Sequence, residues 1–150
     1  FIDSISPSQT DDDATLAPTR NTKEVEKIAM DAVMEKERHD GFEPRDVSSE
    51  NRGYDIESIK VTDKDSIIRF IEVKGRRTDA DKVTVTYNER NVGKNKGENY
   101  ILAIVRVDND NPESPVSKIT YIPNPFKDSD CFVTQISYDI DKLEQMGKQG

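Results

Sequence analysis

The sequence predicts an α/β domain in which a helix packs across a β-sheet, and three observations lead to this prediction. An amphipathic segment with helical spacing comes first. Two Ile- and Val-rich segments separated by a short polar turn follow it, and the most apolar run of the chain, NYILAIVRV, comes after a second helix start. Apolar periods that change between 3.6 and 2 residues are typical of helices packed across a sheet.

The first helix is predicted over about 22–39. Asn21 or Thr22 is a suitable N-cap, and Gly41 lies just beyond the end of the segment. The apolar residues of the segment recur with the spacing of one helical face: Val25, Ile28, Ala29, Ala32 and Val33.

Strands and turns are predicted next. FEPRDVS reads as a short extended segment, and YDIESIKV and SIIRFIEVKG, separated by TDKD, predict an antiparallel hairpin. In the second strand, Ile68, Phe70, Glu72 and Lys74 share one face. That face runs from apolar to charged, which is typical of a strand that leaves the core at the mouth of a cleft.

The rest of the chain continues the alternation. KVTVT is a short strand, and Thr86 three residues before Glu89 is the capping-box pattern of a helix start. NYILAIVRV is predicted to be a central strand and SKITYIPNP an exposed strand. CFVTQISY is a last strand or an irregular edge, and DIDKLEQM is a short terminal helix.

Length and composition fit one folded domain with a tail. The chain has 150 residues, of which 33% are hydrophobic. Residues 1–21, rich in Ser, Thr, Pro and Asp, predict a disordered linker, and 22–150 the folded domain, expected to be the C-terminal part of a larger protein. We expect a cytoplasmic protein without membrane contact. Cys131, the only cysteine, leaves no internal disulfide or cysteine-based zinc site and is expected to be a buried small hydrophobe.

The charge is unevenly distributed. A net charge of −8 argues against a protein that coats nucleic acid. Residues 69–97, however, carry eight basic and four acidic side chains, and an ordinary solvated surface is the alternative explanation. The basic residues are Arg69, Lys74, Arg76, Arg77, Lys82, Arg90, Lys94 and Lys96.

Asp55, Glu72 and Lys74 form the most informative pattern. If their two strands are neighbours, Asp55 and Glu72 can bind Mg²⁺ or Mn²⁺ together with the backbone carbonyl of Val73. Lys74 would then orient or deprotonate a metal-bound water, as hydrolysis of a phosphodiester requires. The alternative is a surface ion pair between Glu72 and Lys74.

Several segments of the chain resemble a known domain family. The family was first described at the C-terminus of the plant protein NO VEIN, is also found appended to bacterial helicases and defence proteins, and is matched over about residues 24–145. It is similar to the PD-(D/E)XK nuclease superfamily, and this resemblance implies the restriction-endonuclease-like α/β fold, with a central mixed β-sheet flanked by helices. The segments that carry the resemblance are VEKIAMDAVMEKE, DVSSENRGYDIES, RFIEVKGR, TVTYNE, NYILAIVRV and YIPNPF.

The resemblance implies roles for particular residues. Asp55 of GYDI stands where that superfamily has its first metal-binding aspartate, and Glu72 and Lys74 match its acid-x-lysine pair. The superfamily often adds a glutamate from the first helix, for which Glu26 is the best candidate and Glu24 and Glu37 are rivals.

Other candidates have simpler alternatives. Arg76, Arg77 and Lys82 are the candidates for contacts with a nucleic-acid backbone, or solvated loop residues. Thr86, Asn88 and Glu89 match a family pattern, in which helix capping explains Thr86 and Glu89 without any chemistry. Gly53 and Gly75 bracket the site and are expected to serve backbone geometry. His39, at a helix end beside Asp40, is expected to be a capping or surface residue.

The expected function is that of a magnesium- or manganese-dependent nuclease domain acting on DNA, within a larger chain that contains partners such as a helicase. One alternative is a catalytically inactive module of the same fold that binds DNA or protein, and another is a purely structural interaction domain. The sequence leaves a homodimer open.

Overall fold

The structure, a computed structural model, describes residues 19–108, 110–128 and 135–149. Cys131 and residues 1–18 of the predicted linker lie outside these ranges. The described residues form three α-helices: α1 (Thr19–His39), α2 (Tyr87–Lys96) and α3 (Ile140–Met146). Their strands are β1 (Glu43–Asp46), β2 (Ile56–Val61), β3 (Ser66–Arg77), β4 (Lys82–Thr86), β5 (Tyr100–Val107), β6 (Val116–Pro123), β7 (Gln135–Asp139) and β8 (Lys148–Gln149).

Six strands form one sheet in the order β1-β2-β3-β5-β6-β8. β3 and β5 run parallel, and the other neighbours run antiparallel. The parallel pair needs a crossover connection, which β4 and α2 provide. The predicted α/β class with a mixed sheet flanked by helices is therefore confirmed.

One face of the sheet is covered by α1. Val25, Ala29 and Val33 of the helix pack against Ile56, Ile71 and neighbouring residues of β5. The buried helix residues recur at intervals of four, so they form one apolar stripe. Gly75 of β3 allows the close approach, because a Cβ there would lie 2.7 Å from the Ala29 Cβ.

The opposite face carries the remaining elements. β4 and β7 form a separate two-stranded sheet, which packs with α3 against the residues of β5 that point away from α1. Leu102 and Ile104 point to this side, whereas Ile101 and Ala103 point to α1. Both faces of β5 are buried, as its unbroken apolar run predicts.

The element predictions can be compared with this architecture. The hairpin of β2 and β3, the central strand β5, the capping-box start of α2 and the terminal helix are confirmed. α1 begins three residues before the predicted start. The prediction of an exposed β6 is wrong, because this strand lies between β5 and β8 and buries Thr120, Tyr121 and Ile122. None of the helices described here combines the length and the apolar character that a membrane crossing requires.

Candidate functional site

The site lies where β2 begins beside the middle of β3. Ile56, the first residue of β2, pairs with Ile71, so Asp55 stands next to Glu72. Ile56 and Ile71 both face α1. Because side chains alternate along a strand, Asp55 and Glu72 project to the other face of the sheet, as the sequence predicts for neighbouring strands.

Asp55 is fixed by hydrogen bonds to β3. Its backbone N–H donates to the Ile71 carbonyl over 2.8 Å. Its Oδ2 accepts from the Val73 N–H over 2.9 Å, so the side chain takes the position that a continuing β2 would occupy. The N–H and C=O of one strand residue point to the same edge of the strand. The Val73 carbonyl therefore faces the side where Asp55 lies.

Glu72, Lys74 and Glu89 form ion pairs next to Asp55, and we call these four residues the acid cluster. The Lys74 Nζ lies 3.1 Å from the Glu72 Oε2 and 3.0 Å from the Glu89 Oε1. The side chains of Glu72 and Lys74 are only 6% and 13% exposed. The alternative of a surface ion pair is therefore wrong, because Glu72 is buried and Lys74 is largely shielded from solvent.

The acid cluster has three carboxylates for one lysine, and the pKa values reflect this excess. Burial raises the pKa of Glu72 well above its ordinary value, and the charges of Asp55 and Glu89 add to the rise while Lys74 opposes it. Burial also raises the pKa of Asp55 against the Val73 N–H and Lys74. Negative charge on these two carboxylates is thus incompletely compensated.

Lys74 and Glu89 are shifted toward their charged forms. Burial acts to lower the pKa of Lys74, but the charges of Glu72 and Glu89 outweigh it and the pKa is raised. Burial acts to raise the pKa of Glu89, but Lys74 and the Thr86 N–H outweigh it and the pKa is lowered. Lys74 and Glu89 therefore favour each other's charged forms, whereas burial opposes the charged forms of Glu72 and Asp55.

Two buried groups support the floor of the site. The Tyr100 hydroxyl donates to the Gly53 carbonyl over 2.9 Å, and burial together with the three nearby carboxylates raises the pKa of Tyr100. Gly53 has a φ of +86°, and a Cβ there would lie 2.7 Å from a Val92 methyl group. The prediction that Gly53 serves backbone geometry is confirmed.

The residues present suit a hard divalent cation. Asp55 and Glu72 offer carboxylate oxygens whose charge is incompletely compensated, and the Val73 carbonyl faces the Asp55 side of β3. Within the described ranges, no group of three or more His, Cys, Asp or Glu side chains is arranged as a metal site. The predicted set differs from such a group, because it consists of two carboxylates and one backbone carbonyl.

The first helix does not join the acid cluster. α1 packs on the opposite face of the sheet, and Glu26 is exposed there, so its catalytic role stays a prediction. Glu24 is also exposed. Glu37 is fully buried far along the helix, and its Oε2 accepts from the Arg69 Nη1 over 2.7 Å and from the Tyr121 hydroxyl over 2.8 Å. We call Glu37, Arg69 and Tyr121 the Glu37 cluster.

The predicted nucleic-acid contacts lie beyond the acid cluster along β3. Arg76 projects to the same face as Glu72 and Lys74, and its Nη1 donates to the Gly75 carbonyl over 2.6 Å. Arg77 is half-exposed, 3.8 Å from Asp79, and Lys82 is exposed at the start of β4. Arg76 and Lys82 are neighbours, because the Arg76 Nε donates to the Lys82 carbonyl over 3.4 Å, whereas Arg77 projects to the other face of β3. The contact of these three residues with a nucleic acid stays a prediction.

Sequence reasoning missed the contact between Glu89 and Lys74. The capping box is confirmed, because Thr86 and Glu89 exchange both hydrogen bonds, and it accounts for Glu89 without any link to β3. A buried lysine needs more than one partner, and that requirement was the available signal. His39 is a surface residue, 88% exposed and 3.5 Å from Asp40, as predicted.

These features define a mixed α/β domain with a buried cluster of carboxylates and one lysine on a β-hairpin. The family model described as Protein NO VEIN, C-terminal matches residues 25–122. The chain therefore belongs to this family, as the resemblance of its motifs implies. Comparisons with curated proteins and with solved structures give no match.

Proposed function

We propose that the domain is a metal-dependent nuclease of the PD-(D/E)XK type, with a restriction-endonuclease-like fold, that hydrolyses phosphodiester bonds of DNA. One observation carries the proposal: Asp55, Glu72 and Lys74 lie together on one face of a hairpin, with Glu72 buried, the other two half-buried, and an excess of carboxylates. A merely structural ion pair has no need of two further carboxylates, since each buried negative charge lowers stability.

The chain's own residues have distinct parts in this chemistry. Asp55 and Glu72, with the Val73 carbonyl, would hold Mg²⁺ or Mn²⁺, whose positive charge would offset the burial that raises the pKa of both carboxyls. The cation, when bound, supplies the acidity of a water ligand and stabilises negative charge at phosphorus. The Lys74 ammonium orients the attacking water and offsets charge on the phosphate. Arg76, on the same face, is suited to hold the phosphate backbone.

The delivery of substrate is the second part of the proposal. The net charge of −8 repels DNA at long range, so the domain is suited to work beside another unit that binds DNA. We propose that it acts in the cytoplasm within a larger chain, joined to a helicase or a defence protein.

Calorimetric titration of Mn²⁺ and Mg²⁺ tests the metal site. We expect wild type to bind one or two ions, and Asp55→Asn and Glu72→Gln to lose the binding. Asp63→Asn, in the exposed turn of the same hairpin, is the matched control and should bind as wild type does. At about 100 times the dissociation constant, the cation should raise the free energy of unfolding by about 2.7 kcal/mol.

Cleavage of double- and single-stranded DNA tests the chemistry. Lys74→Ala should lower kcat by about 100-fold or more, the range for loss of one preorganised donor that stabilises charge in the transition state. Wild type that binds DNA but neither binds metal nor cleaves would overturn the proposal in favour of an inactive binding module. In that case Arg76→Ala, and not Asp55→Asn, should weaken DNA binding.

A further inference from the structure

One oxygen of Glu89 serves two partners. Its Oε1 accepts from the Thr86 N–H over 3.0 Å and from the Lys74 Nζ over 3.0 Å. The first contact closes the capping box of α2, for which glutamine serves as well as glutamate. The second joins α2 to β3 and needs a carboxylate, because a charged pair is roughly twice as strong as a neutral hydrogen bond. Capping alone therefore does not account for this residue.

Lys74 pairs with two carboxylates, and only one of them is a proposed ligand of the cation. Glu72 and Glu89 lie at almost equal distances from its ammonium, 3.1 and 3.0 Å. Glu72 is a proposed ligand of the cation, and an oxygen that binds a cation holds an ammonium less strongly. Glu89 is not a proposed ligand of the cation. Its carboxylate can therefore pair with Lys74 both with and without the bound cation.

The ion pair between Lys74 and Glu89 is largely shielded from solvent. Its side chain is 13% exposed, and that of Glu89 is 17% exposed, so water screens the pair weakly. A buried ammonium that lost its carboxylate partner would leave for solvent or shift its position. Arg76, whose positive charge acts on Lys74, favours that departure.

We propose that Glu89 is a positioning residue, which holds the Lys74 ammonium in place beside Asp55 and Glu72 through its carboxylate and not through its place in the helix cap. The consequence for catalysis rests on the proposed nuclease function. The positioning itself can be measured without catalysis.

Nitrogen-15 NMR of the lysine ammonium groups gives the direct test, in the whole chain with and without Mg²⁺. The Lys74 signal is assigned by its loss in Lys74→Met. Wild type should show a slowly exchanging Lys74 ammonium under both conditions. Glu89→Gln keeps the capping box and should speed exchange of these protons with water by about tenfold, the loss of a hydrogen bond to a charged group. The effect should be greater with Mg²⁺.

Thr86→Ala is the matched control, because it removes the cap hydroxyl and leaves the Glu89 carboxylate. We expect it to lower the melting temperature and to keep the slow Lys74 exchange. An unchanged Lys74 signal in Glu89→Gln would overturn the proposal. Equally faster exchange of the Lys74 ammonium protons in Thr86→Ala and Glu89→Gln would overturn it as well, because the helix cap would then hold Lys74 in place.

Kinetics separate this proposal from the proposed function. If wild type cleaves DNA, Glu89→Gln should lower kcat about tenfold with little change in KM. Thr86→Ala, assayed at a temperature below its own melting temperature, should have the kcat of wild type. Full activity in Glu89→Gln would contradict the positioning role. Wild type that neither binds metal nor cleaves, while its Lys74 signal still depends on Glu89, would support the positioning role and overturn the nuclease.

Discussion

The two faces of β3 each carry a buried ionic cluster, and the clusters are built on opposite principles. On the α1 side, Glu37 meets one cation, Arg69, and one neutral donor, Tyr121. On the other side, Lys74 pairs with two carboxylates, Glu72 and Glu89, and a third, Asp55, lies next to Glu72. The Glu37 cluster is balanced in charge, and the acid cluster carries an excess of negative charge.

This difference indicates what each cluster is for. A balanced pair with a hydroxyl donor connects α1, β3 and β6, and Arg69 also lies 4.0 Å over the Phe42 ring, as suits an element that fixes the helix to the sheet. An excess of buried carboxylates lowers stability unless a cation compensates it. The excess of carboxylates in the acid cluster fits the proposed cation site, whereas the balanced charges of the Glu37 cluster fit a structural contact.

The same substitution in the two clusters gives the largest expected contrast. Glu37→Gln should lower the free energy of unfolding by about 3 kcal/mol, because it leaves Arg69 without its charged partner. Glu72→Gln should instead raise it at pH 8, because burial raises the pKa of Glu72 and ionisation of this carboxyl therefore costs stability. Urea unfolding of the metal-free protein measures both values, with Glu35→Gln on the exposed side of α1 as control. Losses of equal size in both variants would refute the contrast.

The two buried tyrosines give the next contrast. Tyr121→Phe should lower the free energy of unfolding by about 2 kcal/mol, because the hydroxyl donates to a charged carboxylate. Tyr100→Phe should lower it by about 1 kcal/mol, because that hydroxyl donates to the neutral Gly53 carbonyl. Thermal and urea unfolding of both variants measure this difference. A larger loss for Tyr100→Phe would show that the floor of the acid cluster, and not the Glu37 cluster, is the stronger structural contact.

The pH dependence of stability follows from the acid cluster. The pKa of Glu72 is higher in the folded protein than its ordinary value of 4.5, so above that pH the native state holds the proton more tightly than the unfolded state. The stability that the protonated group contributes is complete below pH 4.5 and is lost as the pH rises through the raised pKa. The slope from this group is at most about 1.4 kcal/mol per pH unit.

Unfolding of the metal-free protein between pH 5 and 8 tests this dependence, by comparing wild type with Glu72→Gln. The difference in stability between the two proteins should grow with pH in favour of the variant. A difference in stability that does not change with pH would mean that Glu72 has the same pKa in the folded and the unfolded protein. Glu37→Gln serves as the comparison from the other face of β3.

The smallest expected effect concerns the cap that borders the acid cluster. Thr86→Ala should lower the free energy of unfolding by about 1 kcal/mol, because Glu89 loses the acceptor of its backbone N–H. Calorimetry should find its metal affinity unchanged, since Thr86 offers no ligand. Thr78→Ala, in the exposed loop after β3, is the control. A loss of metal binding in Thr86→Ala would contradict this expectation and show that the metal site depends on the helix cap.

Local patterns determined a large part of this protein. The alternation of Ile68, Phe70, Glu72 and Lys74 fixed which side chains share a face of β3, because the strand period is two residues. The spacing of Thr86 and Glu89 fixed the start of α2, because capping is an interaction within a few residues. The family resemblance pointed to Asp55 in the same way, from the residues around it.

Tertiary structure alone decided which charges meet and how deeply they are buried. Glu89 lies 15 positions from Lys74, and only the packing of α2 against β4 and β5 brings them together. The same packing puts α1, with Glu26, on the face away from Glu72, a relation that helical spacing does not contain. Burial sets the pKa values and the excess charge, because desolvation depends on all surrounding residues at once.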